Sequence, residues 1–393
     1  MSNVMGLAYQ GFENIIKSMK KTILALMLAL AVLFPAAAVW EFGNGFSFSA
    51  APIDPLFKES RANPFSNRTA FSLLKSPEDG DYLPHTFLVS DPDMNGGMGG
   101  YREIPFEDLD TGHNSFWHLK AAMNLGLLRF SYKDYADIEM YIHGGLNTVF
   151  GNYGGTNALG FDGMYGVGFD LQLFDSFVFR FGFHHFSGHW GDEMMKKFYD
   201  RNPGWEATSD PAVSRELLEY TRNNSYFFDV SYAPVKYFRV LLEAELPMGK
   251  AWIRPSAHIP QDTVTPGYGD SQAEHNSSQE GVHRTEAYPA SYRGWRIGIG
   301  AEAQYPIDML GNVFISYDLQ LHQDGKINLE TLKYEEDRPW EIEHTVAFGF
   351  EFEEKPQMPS FSIECAYHDG RFPLLNYFFQ RSRYFSVILG ASF

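Results

Sequence analysis

The sequence predicts an all-β chain whose antiparallel strands close into a transmembrane β-barrel of about 12 strands with long external loops. Three observations carry that expectation. Past Gly112 apolar and polar residues alternate with period 2, and the polar connections between these stretches are alternately short and long. The apolar side of nearly every stretch is rich in Phe, Tyr and Trp, which a soluble sandwich does not require.

In chain order, residues 1–38 read as a signal peptide with Met19 as the start. Met19-Lys20-Lys21 is a short basic region, Ile23 to Phe34 an apolar stretch, and Ala36-Ala37-Ala38 a small-residue cleavage signal after Pro35. No Cys stands directly after the apolar stretch, where Pro35-Ala36-Ala37-Ala38-Val39 follows, so lipoprotein processing is excluded. Residues 39–112 are rich in Pro and Gly, with a loop at Met94-Asn95-Gly96-Gly97-Met98-Gly99-Gly100. They are expected to hold the first strand, a periplasmic extension or a plug.

Residues 113–393 form the barrel proper. Trp295, Ile297, Ile299, Ala301, Ala303 and Tyr305 alternate with Arg296, Gly298, Gly300, Glu302 and Gln304, so one face meets an apolar phase and the other meets water. The same pattern marks Trp117 to Leu127, Ile138 to Phe150, Tyr165 to Leu173, Phe177 to His189 and Tyr226 to Tyr232. It returns in Phe238 to Leu246, Val313 to Leu321, Trp340 to Phe352, Phe361 to Tyr367 and Phe385 to Phe393. A twelfth strand is expected between Arg68 and Ser90, because an even number closes an antiparallel ring and leaves no backbone edge in lipid. Short turns are expected at Lys133 to Ala136, Phe174 to Ser176, Ala233 to Val235, Pro306 to Gly311 and Glu354 to Ser360, on the periplasmic side. The longer connections Gly191 to Arg222, Met248 to Ser291, Asp324 to Pro339 and Gly370 to Arg383 then face outward. The last strand ends on Phe393 and resembles the signal by which outer-membrane barrels are recognised for assembly, which implies the barrel assembly machinery as a partner.

Composition removes several classes. A mean hydropathy of −0.28 and one long apolar run exclude a polytopic helical membrane protein. With 31 Lys and Arg against 49 Asp and Glu, the formal charge of −18 repels a phosphate backbone, so nucleic acid is not an expected partner. One Cys among 393 residues can neither close a disulfide nor complete a Cys-based zinc site.

One strand carries candidate chemistry. Phe177, Phe179, Phe181 and Phe183 mark its lipid face, and the same face continues through His185, Ser187 and His189 near the outer rim. A His and a Ser two apart on one face place a base beside a hydroxyl, half of what acyl transfer needs. The group that orients the His is Asn224, in phase with Tyr226 and Phe228 on the next strand, or Asp192 or Glu193 in the adjoining loop. His189, Asp192 and Glu193 are alternatively metal ligands beside His185, and the carboxylates would suit Ca²⁺. Facing inward are His118, Lys120, Glu139, His143, Arg239, Glu243, Glu245, Arg296, Glu302, Glu341 and Glu343, whose mixed signs suit a salt-bridged lumen better than an open channel.

His185-Phe186-Ser187 resembles the His-x-Ser pair that outer-membrane phospholipase A and the outer-membrane lipid A deacylases carry on an outward barrel face. In the phospholipase an Asn on the following strand orients the His, and Asn224 stands at that place here. Both families put Asn after the Ser, where this chain has Gly188. A broader resemblance is to the bacterial domain of unknown function 1207, through His185, Ser187, His189, Gly191, Asp192 and Glu193, and through Pro55-Leu56-Phe57 with Arg61, Pro64 and Phe65. It implies a barrel and no assigned activity. The function expected is that of a structural or surface-exposed barrel or a narrow pore amid outer-membrane lipids, with a lipid-acyl hydrolase as the alternative.

Overall fold

A computed structural model describes residues 39–52, 55–77, 86–91, 100–105, 114–152, 156–201, 217–248, 252–255, 295–323, 327–328, 333–334, 340–352, 360–377 and 381–392. The expected signal peptide and Phe393 lie outside them, as do parts of the Gly-rich loop, of the four long connections and of the turn at 354–360.

The strands in chain order are β1 (Val39–Phe42), β2 (Phe46–Ala50), β3 (Thr69–Lys75), β4 (Thr86–Asp91), β5 (Gly100–Pro105), β6 (Ser115–Tyr132) and β7 (Ala136–Asn152). They continue with β8 (Thr156–Leu173), β9 (Phe177–Trp190), β10 (Leu218–Val235), β11 (Phe238–Pro247), β12 (Trp252–Pro255) and β13 (Arg296–Ile307). The last are β14 (Gly311–His322), β15 (Ile327–Asn328), β16 (Lys333–Tyr334), β17 (Glu341–Phe352), β18 (Ser360–Arg371) and β19 (Arg381–Ser392). Around the wall the order is β6, β3, β19, β18, β17, β14, β13, β11, β10, β9, β8, β7, and β7 pairs back onto β6. Twelve antiparallel strands therefore close a ring with no free edge among them. Alternation sets the two faces: on β17 Phe348 is 59% exposed on the outside while Ala347 beside it is fully buried.

Several strands outrun the expected stretches: β8 begins at Thr156 rather than Tyr165, β6 runs to Tyr132 rather than Leu127, and β18 and β19 extend to Arg371 and Arg381. β10 starts at Leu218 rather than near Tyr226 and runs to Val235, so its tight turn is Lys236-Tyr237 rather than Ala233 to Val235. Pairing to β9 and β12 extends the strand through residues too polar to show an apolar alternation. The connection after β9 also contains a helix, α1 (Asp192–Arg201), with acidic residues in its first turn and Met194 and Phe198 buried one helical turn apart.

The lumen is filled from both ends. At the short-turn end the chain leaves β2, passes Gly126 and enters the ring; a Cβ on Gly126 would lie 2.6 Å from Pro52, so only glycine lets the chain cross here. Residues 55–68 then line the interior without regular structure, so their amide N–H groups need partners. Wall carboxylates and hydroxyls supply them: Phe57 N–H donates to Asp170 at 3.3 Å, Arg61 N–H to Glu302 at 2.7 Å and Ala62 N–H to Ser316 at 3.3 Å. Side chains add Arg61 to Glu351 at 2.7 Å and Arg68 to both oxygens of Glu364, while Lys120 and Arg239 donate to backbone carbonyls of the segment. At the other end Leu375 N–H donates to Asp162 at 3.1 Å, bringing residues 372–377 down onto the ring. Above them Phe87, Trp190, Met194, Phe198, Phe372 and Tyr377 pack into one apolar cap.

Candidate functional site

On β9 the alternation sends Arg180, His184 and Phe186 into the lumen, where they are buried, and leaves Phe177 and Phe181 exposed on the wall. His185, Ser187 and His189 share the outer phase. They lie at the end of β9 away from the tight turn at Phe174 to Ser176, close to α1. Two positions along one strand face are about 6.6 Å apart, within reach of an imidazole leaning toward a hydroxyl.

What orients His185 comes from β10. Ser225 pairs with His184 and Arg222 with Phe186, so Asn223 and Asn224 together stand opposite the single residue His185. Asn224 keeps the outer phase of Tyr226 and Phe228 beside this bulge, and Asn224 Oδ1 lies 3.0 Å from His185 Nδ1. Donation from Nδ1–H to the carboxamide oxygen selects the tautomer whose Nε2 is free to accept a proton. From β8, the Tyr165 ring stacks on His185 with centroids 5.0 Å apart and limits its rotation. Ser187 is paired across β8 with Gly163, where an added Cβ would lie 3.5 Å from Ser187 Oγ and meet nothing else within contact range. The hydroxyl is thus open from that side.

Gly188, which replaces the Asn of the resembling families, faces the lumen. A Cβ there would meet Leu375 and Asn376 at 2.9 and 3.0 Å, so glycine is needed for the cap to descend. A side chain at this position would point away from the outer site.

The metal expectation fares differently. Asp192 and Glu193 are exposed in the first turn of α1, where the helix dipole favours carboxylates without any ion. His189 stacks on Phe161 at 5.0 Å on the outer wall. Among the described residues no three His, Cys, Asp or Glu side chains converge on a common point. The structure does not gather His189, Asp192 and Glu193 into a cation site, and it does not bring either carboxylate to His185 in place of Asn224.

Inside, His118, Lys120, Glu139, His143, Glu245, Glu302 and Glu343 are buried as the alternation implies. Sequence reasoning missed Asp162, Asp170, Arg180, Glu364 and Arg371, buried partners of the plug, cap and wall. Their in-phase position on each strand was the available signal. Arg180 is held by both oxygens of Asp170 at 2.8 and 2.9 Å and lies 3.9 Å over the Tyr141 ring.

The chain matches no protein-family model and no curated protein sequence. Among solved structures it is similar to the translocator domain of the autotransporter NalP from Neisseria meningitidis, with 9% identity over 84% of this chain and 89% of that one and a TM-score of 0.33. It is similar as well to the transport unit of the autotransporter AIDA-I from Escherichia coli, with 14% identity, coverage of 86% and 93% and a TM-score of 0.36. LpxR from Salmonella typhimurium shows 9% identity, coverage of 83% and 99% and a TM-score of 0.31. Likenesses this low carry no argument about activity. The molecule's own wall decides its class: a ring without edges, apolar outside and charged inside, is the form in which strands cross a membrane. The chain is an outer-membrane β-barrel. In this barrel the polar trio on β9 continues the outer phase of Phe177 and Phe181 toward the end of the strand.

Proposed function

We propose that the barrel hydrolyses acyl esters of membrane lipids at the outer rim, with Ser187 as nucleophile, His185 as base and Asn224 as the residue that positions the imidazole. The observation that carries this reading is the 3.0 Å contact between His185 and Asn224 on the lipid-facing side, in phase with Ser187. In the reaction Ser187 Oγ attacks the ester carbonyl and its proton passes to His185 Nε2. The imidazolium returns the proton to the departing lyso-lipid oxygen as the ester bond breaks, leaving an acyl-serine. Water, deprotonated by the same nitrogen, then releases the fatty acid. Asp192, Glu193 and His189 do not fit a Ca²⁺ site as placed, so no step is routed through an ion.

The test is fatty-acid release from phospholipid and lipopolysaccharide by the folded protein, with and without Ca²⁺, against Ser187→Ala. Release that requires Ser187 supports the reading; no release from either lipid, or a fully active Ser187→Ala, overturns it. The second reading, a structural or surface-exposed barrel, is favoured by the plug from 55 to 68, which occupies the space a pore would use.

Three further readings belong to the same proposal. The long connections face the cell exterior and the tight turns the periplasm. Export removes residues 1–38, and the assembly machinery recognises the last strand through Phe393, so deleting Phe393 lowers the yield of folded barrel. Kinship with domain of unknown function 1207 is supported by the residues named above.

A further inference from the structure

The wall carries an addition at its tight-turn end that the ring does not need. β6 is 18 residues long, but β3 pairs only with its Ser115 to Lys120. At the other end of the same edge, Leu128 to Tyr132 pair with β2, and β2 in turn pairs with β1. The hairpin therefore widens the wall by two strands beside the tight turn at Lys133 to Tyr135.

Its two faces are chemically opposite. Trp40, Phe42, Phe46 and Phe48 share one face, while Val39, Glu41, Ser47 and Ser49 share the other. The aromatic face runs without a break into the lipid-facing side of β6. Phe48 packs on Phe130 at 4.9 Å, Trp40 on Phe48 at 5.4 Å and Phe46 on Tyr132 at 4.5 Å. The phase is fixed by the neighbours: Arg129, between Leu128 and Phe130, turns inward to buried Glu139, whereas Phe130 and its partner Ile138 are exposed on the wall. Phe42 and Phe46 remain 58% and 52% exposed. Lys133 lies over the Tyr132 ring at 5.3 Å and the Tyr135 ring at 5.9 Å, a cation and aromatics grouped as at a bilayer interface.

We infer that the β1–β2 hairpin is a membrane-interface anchor, laying its aromatic face into the headgroup and upper acyl region of the leaflet at the tight-turn end. Continuity with the lipid-facing wall identifies the occupant as lipid. β1 is four residues long and ends the sheet, and at headgroup depth its outer edge can be hydrated, which hydrocarbon depth would not allow. The anchor also holds the chain where it turns past Gly126 into the lumen.

The test uses the full chain folded into phosphatidylcholine vesicles. One environment-sensitive thiol label is placed at Phe42→Cys, Phe46→Cys or Ser47→Cys in a Cys365→Ser background. Lipids carrying a nitroxide near the headgroup should quench the labels at 42 and 46 about threefold more than the label at 47, and aqueous iodide should show the reverse order. Equal quenching at all three positions overturns the inference. So does shielding at 42 and 46 that depends on the ratio of protein to lipid, the mark of a second copy on this face. Heat-modifiable migration in gels reports folding of each variant. Should a labelled variant not fold, the difference in nitroxide quenching of Trp emission between the native chain and Trp40→Phe reads the same depth, and no difference overturns the inference.

Discussion

His184 and His185 are neighbours in sequence and inhabit opposite sides of the wall. His184 is buried in the lumen, 3.0 Å from Glu245 and stacked on Phe227. His185 lies on the outer face with a neutral carboxamide as partner and a Tyr ring as its floor. Inside, several ionisable groups are paired, as Arg180 is with Asp170 and Arg371 with Glu343, because a buried charge without a partner is costly. Outside, His185, Ser187 and Asn224 stand beside exposed aromatic residues such as Tyr165, Phe181 and Tyr226. His344, also exposed on the outer wall, is paired with the Tyr317 hydroxyl at 2.7 Å, so what sets His185 apart is Ser187 two residues on in the same phase.

The comparison breaks most sharply on activity. Ser187→Ala and His185→Ala should each lower acyl release about 10³-fold or more and by similar factors, with the folded gel band unchanged. A His184 substitution should do the opposite, weakening the fold while sparing the chemistry in molecules that do fold. Equal activity losses from His184 and His185 variants would erase the distinction between the faces.

The next effect belongs to the lumen. Arg180→Ala leaves Asp170 buried without its double ion pair and should cost about 3–5 kcal/mol, measured as a lowered urea midpoint of the folded band. No change there would mean that luminal pairs are not needed to hold the wall.

Smaller still is the orienting residue. Asn224→Ala should lower acyl release by about 10- to 100-fold, chiefly in kcat, because the imidazole remains but loses its preferred tautomer. Asn224→Asp should retain more activity than Asn224→Ala, since a carboxylate also accepts from Nδ1–H. The least disruptive test concerns the plug. The native barrel should be silent in planar bilayers, and Arg61→Ala, which removes the ion pair to Glu351, should admit brief small-ion openings. Steady conductance by the native protein would favour the pore reading over a filled lumen.

What the sequence determined by itself is everything that depends on alternation. A side chain's face is set by its parity along a strand, a local property, so the wall strands, their apolar outside and the shared outer phase of His185 and Ser187 could be read from spacing alone. Strand ends were legible only where apolar residues reached them, which is why β10 is longer than its pattern. Only the tertiary structure decided which edges meet. The pairing of β3 with both β6 and β19 closes the ring across most of the chain. The course of residues 55–68 depends on carboxylates that strands far away in sequence happen to aim inward. Asn224 shared a phase with the lipid-facing residues, but what brings it to His185 is the register of β10 on β9, with Ser225 against His184. A register exists only once two strands are paired, so no single strand's sequence contains it.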